Sequence, residues 1–290
     1  MTTKTQFSII ETKEGVNMRI GCCLSPNTFM PEFKNTVHAD QLFTVLTDGY
    51  KNILNMGFDY VEATSGSVND LKENELLSLA EMVRSGDFGI EYINCFLPGH
   101  IRVCADHEEA RAHADKTFKN LHTVGIKALV FGSGSARSYP EGMSEAEGRK
   151  YYKDFLLYCA DVGSQYGIYT CIEPLQMTET NQVNFVSQAI ELAREFEHPF
   201  LRITPDAFHM AVGNEAPAIL KEALPYINHM HVSEAPGRLR PGFHGGEYLK
   251  KVGEVLKEIG YNGDMTIECG YSDFIADMSA GLAFLKENVV

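Results

Sequence analysis

The sequence predicts a single (β/α)₈ barrel. Three observations predict it: eight short apolar runs alternate with longer helical patterns, no linker divides the 290 residues, and four consecutive runs end in acidic or histidine residues. Barrels of this kind use about 250 residues as one unit. We therefore expect residues 1–290 to form one domain, with the mostly polar residues 1–16 as an N-terminal extension or a capping hairpin.

The eight predicted strands are dense in Ile, Val, Tyr, Phe and Cys, which is typical of strands covered on both faces. They lie at residues 18–24, 58–63, 89–96, 127–133, 168–175, 200–207, 227–234 and 264–270. Strands that alternate with helices of about 10–15 residues indicate parallel βαβ units.

The predicted helices carry apolar residues at spacings of three and four, and several close on glycine. Clear examples are residues 39–57, 73–86, 144–167 and 245–260. Ser144 followed by Glu147 is typical of a capping box. An open doubly wound sheet would also alternate strands and helices, but no G-x-G-x-x-G follows the first strand, so the barrel is favoured.

The charge balance limits the classes of partner. The formal net charge is −14, and no cluster of Lys and Arg is present, so nucleic acid and anionic membrane surfaces are disfavoured as partners. No segment approaches the ~18 apolar residues of a membrane span. The first ten residues lack the apolar core of a secretory signal. Seven cysteines, none in a C-x-x-C pair, predict reduced thiols in the cytoplasm.

Four strand ends carry the residues of greatest chemical interest, because chemistry in such barrels takes place at the C-terminal ends of the strands. These residues are Glu173, Asp206, His231 and Glu268. Unpaired carboxylates that crowd one barrel mouth would repel one another and become protonated, and a divalent cation removes that conflict. Three carboxylates and one imidazole suit Mn²⁺, Mg²⁺, Co²⁺ or a catalytic Zn²⁺, so we predict one divalent ion at this mouth.

Two further histidines lie close to these residues in the sequence. His229 precedes His231 by two residues and therefore faces the same side of its strand, which predicts a position deeper in the barrel. His209 follows Asp206 by three residues, and its place above the same mouth favours a functional role over a helix cap.

These residues match a known family. The chain resembles the xylose-isomerase-like barrel superfamily of sugar (phosphate) isomerases and epimerases, and within it the ketohexose 3-epimerases of the tagatose/psicose type. The resemblance is strongest over residues 168–271 and continues more weakly in the segments MRIGCCL, FDYVEAT and VFGSGSAR.

The resemblance implies a role for each matched residue. The metal ligands of the family fall on Glu173, Asp206, His231 and Glu268. Its substrate-contacting Glu and His fall on Glu179 and on His209 within the segment DAFHM. The family also has an arginine six residues after the metal-binding His. Gly237 occupies that position here and Arg238 follows, so a shift of one residue in the loop would restore the substrate contact.

The implied reaction moves a proton between carbons next to a carbonyl through a cis-enediolate. Glu173 and Glu268 would be the two bases, one on each face, while Asp206 and His231 would be structural ligands. The partner would be a small sugar or sugar phosphate, and family members form homodimers or homotetramers.

Four alternatives to this interpretation remain. Glycine-rich segments at 132–137 and 240–246 are either flexible loops or hold a substrate phosphate through Arg137, Arg238 or Arg240, although the matches at Glu179 and His209 favour a free sugar. A sugar or inosose dehydratase could use the same metal site. A metal-dependent phosphodiester hydrolase of the three-zinc endonuclease type would need more histidines than this mouth offers, and a non-catalytic sugar-binding barrel would leave the ligand set without a purpose.

Overall fold

Eight parallel strands form the centre of the molecule. The computed structural model describes residues 18–25, 28 and 41–290, so the predicted N-terminal extension at 1–16 lies outside the described residues. The strands are Ile20–Leu24 (β1), Tyr60–Thr64 (β2), Ile90–Asn94 (β3), Ala128–Phe131 (β4), Tyr169–Ile172 (β5), Leu201–Ile203 (β6), His229–Val232 (β7) and Asp264–Ile267 (β8). They are ordered β6-β5-β4-β3-β2-β1-β8-β7 in one sheet.

The two ends of this sheet meet at a seam between β6 and β7. Parallel bridges join Ile203 to Ile227 and Asp206 to His231. The amide of Asn228 donates to the carbonyl of Ile203, and the amide of His231 donates to the carbonyl of Pro205, both at 2.9 Å. The sheet therefore curls into a barrel, which confirms the predicted fold and excludes the open doubly wound sheet.

Helices connect the strands along the outside of the barrel. Within the described residues they are Leu42–Asn55 (α1), Ser65–Asn69 (α2), Glu73–Ser85 (α3), His107–Thr123 (α4), Gly134–Arg137 (α5), Glu145–Tyr166 (α6), Val186–Phe196 (α7), Ala207–Val212 (α8), Leu220–Ala223 (α9), Glu247–Glu258 (α10) and Phe274–Asn288 (α11). One half of the predicted capping box of α6 is present, because the Ser144 hydroxyl accepts a hydrogen bond from the amide of Glu147. The short helices α2, α5 and α8 directly follow β2, β4 and β6 and lie over the barrel mouth.

The apolar core has two parts. The larger part packs the outside of the sheet against the helices. A smaller cluster of Tyr60, Tyr92, Ala128, Val130 and Cys171 fills the barrel interior. Gly21 makes room for this filling, since a Cβ atom there would lie 2.2 Å from the Tyr60 ring. The interior is therefore packed below the mouth.

A network of charged side chains lies at the opposite, N-terminal end of the barrel. Arg19, just before β1, donates to Glu91 of β3 at 2.8 Å and also binds Asp264 of β8. Lys127 lies 2.8 Å from the same Glu91 carboxylate. The hydrogen bond from Arg19 is the main reason why the pKa of Glu91 falls to about 2, against the opposing effect of partial burial. The network thus ties together strands that are far apart in the sequence.

We expect Glu91→Gln to destabilise the protein in a pH-dependent way. The folded-state pKa of Glu91 is depressed, so its contribution is fully present above the unfolded pKa of about 4.3 and is lost as pH falls towards 2. The variant should lose about 1–2 kcal/mol of unfolding free energy at pH 7. Urea unfolding at pH 7, 5 and 3 should show the deficit shrinking at the lowest pH. Asp154→Asn, which removes an exposed pair with Lys150, is the control and should change little. A deficit of the same size at all three pH values would contradict this account.

Candidate active site

Four ligand-type side chains converge at the barrel mouth. Glu173, Asp206, His231 and Glu268 follow or end β5, β6, β7 and β8, and one ligand atom from each lies within 4.8 Å of the others. The Nδ1 atom of His231 lies 3.1 Å from Glu173 Oε1 and 2.9 Å from Glu268 Oε2. We call these four residues the ligand ring. The structure brings together the set that the sequence singled out.

Gly132 provides the space for one member of the ligand ring. A Cβ atom at this position, directly after β4, would lie only 1.8 Å from Glu173 Oε2. A residue with any side chain would therefore occupy the place of the carboxylate. The start of the first glycine-rich segment is explained by this close approach rather than by a need for a flexible loop.

Asp206 is held by its own helix and by a cation. One carboxylate oxygen accepts from the amide of Phe208 at 2.7 Å, as an N-cap of α8. The other accepts from Arg238 Nη2 at 3.0 Å. Because the side chain is almost completely buried, its orientation is fixed before any ligand binds.

A second set of buried polar residues lies below the ligand ring. Nε2 of His231 is 3.0 Å from Glu62 Oε1, and Nε2 of His229 is 3.3 Å from Glu62 Oε2. All three side chains are fully buried. His229 lies deeper in the barrel, where its ring stacks on Tyr92 with 4.2 Å between centroids. Glu62 lies in the middle of β2 and was not among the residues predicted for the site, since a single acidic residue within an apolar run gives no signal for this contact.

The electrostatics of the mouth reflect an excess of buried negative charge. Burial alone would lower the pKa of His231, but Glu62, Glu268 and Glu173 outweigh it and hold this pKa well above its usual range. Burial alone would raise the pKa of Glu268, but Arg238 and His231 outweigh it and bring this pKa to about 2. The ring therefore attracts positive charge. Its donor set of carboxylate oxygens and one imidazole nitrogen fits a divalent cation.

Arg238 reaches the ligand ring from the loop after β7. Gly237 and Arg238 both have positive φ, 93° and 53°, which turns the chain back so that Leu239 pairs with Glu234. Arg238 Nη2 lies 2.7 Å from Glu268 Oε2, and Nη1 lies 3.2 Å from His209 Nε2. The arginine that the sequence analysis placed one residue late thus points into the mouth.

His209 and Glu179 border the same mouth. The buried His209 ring accepts at Nδ1 from the amide of Gln176 at 3.0 Å, which turns Nε2 towards Arg238. Glu179 is exposed at the rim, and its Oε1 accepts from Gln176 Nε2 at 2.6 Å. Both side chains therefore sit above the ligand ring: His209 lies on α8, and Glu179 lies on the segment between β5 and α7.

The segment that carries Glu179 is fastened to the loop after β4. Asn181 and Tyr139 exchange two hydrogen bonds of 2.9 and 3.1 Å, and Ser138 donates to Thr180 at 3.0 Å. Gly134 permits the close approach, since a Cβ there would lie 2.7 Å from the carbonyl oxygen of Glu179. These hydrogen bonds therefore fix the segment that carries Glu179 to the loop after β4.

Arg137 does not take the role that the sequence suggested. Its guanidinium is fully buried and donates to the carbonyls of Phe131 and Val183 at 2.9 and 3.5 Å. Of the three arginines left open as phosphate contacts, Arg137 is therefore disfavoured, because α5 directs its side chain into the protein rather than towards the mouth. Arg240 lies 3.4 Å from Asp277 and packs over the Phe243 ring, whereas Arg238 contacts the ligand ring itself.

Sequence comparisons find similarity to an epimerase and to isomerases. A family model described as "Xylose isomerase-like TIM barrel" matches residues 50–288. A D-psicose 3-epimerase of Ruminiclostridium cellulolyticum is 28% identical over 110 residues, which are 38% of this chain and 37% of the relative. A putative hydroxypyruvate isomerase of Homo sapiens is 27% identical over 147 residues, 49% of this chain and 52% of the relative. The matches thus span about a third to a half of the relatives' own lengths.

Structural comparisons extend the similarity over nearly the whole chain. A structure of L-ribulose 3-epimerase has a TM-score of 0.77 at 17% identity and covers 94% of both chains. D-psicose 3-epimerase crystallised with D-fructose has a TM-score of 0.75 at 16% sequence identity, and the match covers 94% of this chain and 99% of the other. The 3-keto-D-glucoside 4-epimerase of E. coli has a TM-score of 0.75 at 18% identity, and the match covers 93% of this chain and 100% of the other. Identities this low support the fold alone.

None of the helices in the described part of the chain combines the length and apolar character of a bilayer-spanning segment.

Gly132→Ala should weaken metal binding at the ligand ring. The new Cβ would lie 1.8 Å from Glu173 Oε2, so the carboxylate must move away from the other three ligands. We expect the affinity for Co²⁺, measured by calorimetric titration, to fall at least about tenfold. Gly89→Ala is the matched control, because its Cβ would meet the Tyr50 hydroxyl at an ordinary 3.6 Å. If both variants bind Co²⁺ like the wild type, the ring does not depend on the position of Glu173.

Metal binding should also strengthen with rising pH. The raised pKa of His231 keeps its imidazole protonated in the metal-free ring, and a proton and a metal ion compete for the same nitrogen. Over the range in which His231 carries that proton, the Co²⁺ affinity should rise by about tenfold per pH unit. Titrations at pH 6, 7 and 8 measure this slope, and an affinity independent of pH would show that His231 is not a ligand.

Proposed function

The chain belongs to the xylose isomerase-like TIM barrel family, and we propose that it is a divalent-metal-dependent isomerase or epimerase that acts on a small ketose. One observation carries this proposal: three carboxylates and one imidazole from four consecutive strands meet at the barrel mouth. The epimerases and isomerases among its relatives support the same class of reaction. A bound divalent ion would supply Lewis-acid polarisation of the sugar's carbonyl and of a neighbouring hydroxyl.

Glu173 and Glu268 are the proposed bases. They reach the ring from β5 and β8, which lie three strands apart around the barrel, and both approach the same His231 nitrogen. The low pKa of Glu268 keeps it ionised at neutral pH, which is the form that can accept a proton. Two carboxylates on either side of a carbon next to a carbonyl can remove a proton from one face and return one to the other. The sugar passes through a cis-enediolate in between.

Asp206 and His231 are proposed as ligands without a proton-transfer role. Both oxygens of Asp206 already accept hydrogen bonds, from Phe208 and from Arg238, so this carboxylate is the less mobile one. His231 is enclosed by carboxylates on both edges of its ring. These two side chains would hold the ion in place while the two glutamates exchange protons with the substrate.

His209, Arg238 and Glu179 are the proposed substrate contacts. Arg238 places its guanidinium beside Glu268, where it would stabilise negative charge that develops on the substrate oxygens. His209 and the rim residue Glu179 offer hydrogen-bonding atoms to sugar hydroxyls. Both of these side chains face the mouth from elements that are fixed by hydrogen bonds to their neighbours.

We propose that the substrate is a free sugar rather than a phosphate. Arg238 is already bonded to two carboxylates, and Arg137 is buried away from the mouth. Carboxylates outnumber the cations at the mouth and would repel a phosphate dianion. An unphosphorylated ketose fits this surface better, since its hydroxyls can both donate to carboxylates and accept from Arg238.

The substrate class can be tested with a panel of compounds. Co²⁺- and Mn²⁺-loaded protein would be incubated with ketoses, aldoses, their phosphates, hydroxypyruvate and inososes, and the products separated by chromatography. We expect interconversion of free ketoses. A clear preference for phosphates would overturn the free-sugar proposal, and a product that has lost water would identify a dehydratase instead.

Glu173→Gln and Glu268→Gln test the two bases on the substrate found in this way. Each change keeps the shape of the side chain but removes the base, so each should reduce overall conversion by about 10²–10⁴-fold. In D₂O, one of the two variants should still incorporate deuterium beside the carbonyl from a single face, because the other carboxylate survives. Proton NMR of the sugar detects that exchange. Full activity in either variant would remove that residue from the proton transfer.

A further inference from the structure

Glu62 is a buried carboxylate that lies outside the ligand ring but contacts one of its members. It lies inside the barrel with no exposed surface. Among the described residues, its charged partners are His231 and His229. Burying an ionised carboxylate costs several kcal/mol unless its partners compensate for the lost water. The fold therefore maintains this charge at a cost, directly beneath the proposed metal site.

The two nitrogens of His231 face two different environments. Nδ1 points at Glu173 and Glu268 in the ligand ring, at 3.1 and 2.9 Å. Nε2 points away from the ring and lies 3.0 Å from Glu62 Oε1. An ion held in the ring needs the lone pair of Nδ1, so the single hydrogen of a neutral, metal-binding His231 belongs on Nε2, where the Glu62 carboxylate can only accept it.

We propose that Glu62 is a positioning residue that fixes the Nε2–H tautomer and the ring orientation of His231, and thereby sets the metal affinity of the site. This inference rests on the metal site proposed above. In the opposite tautomer, a hydrogen on Nδ1 would point into the ring and block coordination. A carboxylate that holds the remote N–H also makes the imidazole a stronger donor to the ion.

His229 lies on the other side of Glu62, close to the carboxylate but without a hydrogen bond to it. Its Nε2 lies 3.3 Å from the second carboxylate oxygen, and the Asn228 side chain lies 2.9 Å from its Nδ1. Its ring stacks on Tyr92, whose hydroxyl donates to Asp264 at 2.5 Å. Each oxygen of Glu62 therefore faces one imidazole, and the carboxylate cannot rotate without losing both contacts.

Glu62, His229 and His231 also have the composition of a small metal site of their own. A second ion there would have to use Nε2 of His231 while the ligand ring uses Nδ1, which requires the loss of both ring protons. The 3.0 Å separation of Nε2 from Glu62 is the ordinary length of an N–H···O hydrogen bond. The arrangement therefore predicts one ion per chain rather than two.

Glu62→Gln and Glu62→Ala test the proposal on the full chain, with Co²⁺ as the probe. Gln keeps the shape and one acceptor but removes the charge, whereas Ala removes the acceptor altogether. We expect the Co²⁺ dissociation constant to rise by about 10–100-fold in the Ala variant and by less in the Gln variant. Glu91→Gln is the control, since that carboxylate lies at the far end of the barrel, and it should bind Co²⁺ like the wild type. Circular dichroism identifies any variant that has not folded, and the Gln variant keeps the test informative if Ala does not fold.

A spectroscopic measurement separates positioning from a general structural role. The measurement is ¹⁵N NMR of Zn²⁺-loaded protein labelled with ¹⁵N-histidine. The signals of His231 are assigned as those that are missing from the spectrum of His231→Gln. The wild type should show a slowly exchanging proton on Nε2, and Glu62→Ala should lose it. Unchanged Co²⁺ affinity in folded Glu62 variants, a proton on Nδ1, or two Co²⁺ ions per wild-type chain would each overturn the proposal. Wild-type protein that binds no Co²⁺ would overturn the metal site itself, and this inference with it.

Discussion

His231 has carboxylates on both edges of its imidazole, and the arrangement of the mouth follows from that position. Two glutamates from β5 and β8 face one nitrogen, and a third from β2 faces the other. So much negative charge can be buried only where positive charge is available. Arg238 supplies part of it from the loop after β7, which explains why that loop turns back through two residues with positive φ. A divalent ion would supply the rest.

The two ends of the barrel use charge in different ways. At the N-terminal end, Arg19 and Lys127 neutralise their acidic partners within the chain, so that end contributes stability. At the mouth, the acidic residues outnumber the cations, so that end attracts positive charge from outside the chain. Tyr92 contacts residues of both ends of the barrel, because its hydroxyl donates to Asp264 while its ring stacks on His229. The separation of stabilising and chemical residues between opposite ends is characteristic of this fold.

The barrel and the ligand ring could be predicted from the sequence because both depend on simple regularities. Apolar runs reveal buried strands, and parallel strands in a barrel end at one mouth, so Glu173 and Glu268 were expected to face the same mouth. The run predicted at 200–207 was too long, since β6 is only Leu201–Ile203 and the ligand Asp206 belongs to the cap of α8. Short helices such as Gly134–Arg137 give no periodic pattern, which is why Arg137 was placed at the mouth when its side chain points inward. The contact between Glu62 and His231 joins residues 169 positions apart, and no local pattern contains it.

The seam between β6 and β7 has a consequence for how the protein is made. All four members of the ligand ring lie between Glu173 and Glu268, and the bridge from Asp206 to His231 is also one of the contacts that bring the ends of the sheet together. During synthesis the chain leaves the ribosome from its N-terminus, so strands β1 to β5 emerge before most of this ring exists. A nascent chain cannot assemble the complete site until residue 268 has left the exit tunnel. Closure of the sheet is therefore a late event, and capture of the proposed ion would be late as well, because the unfinished protein has only part of the ligand ring.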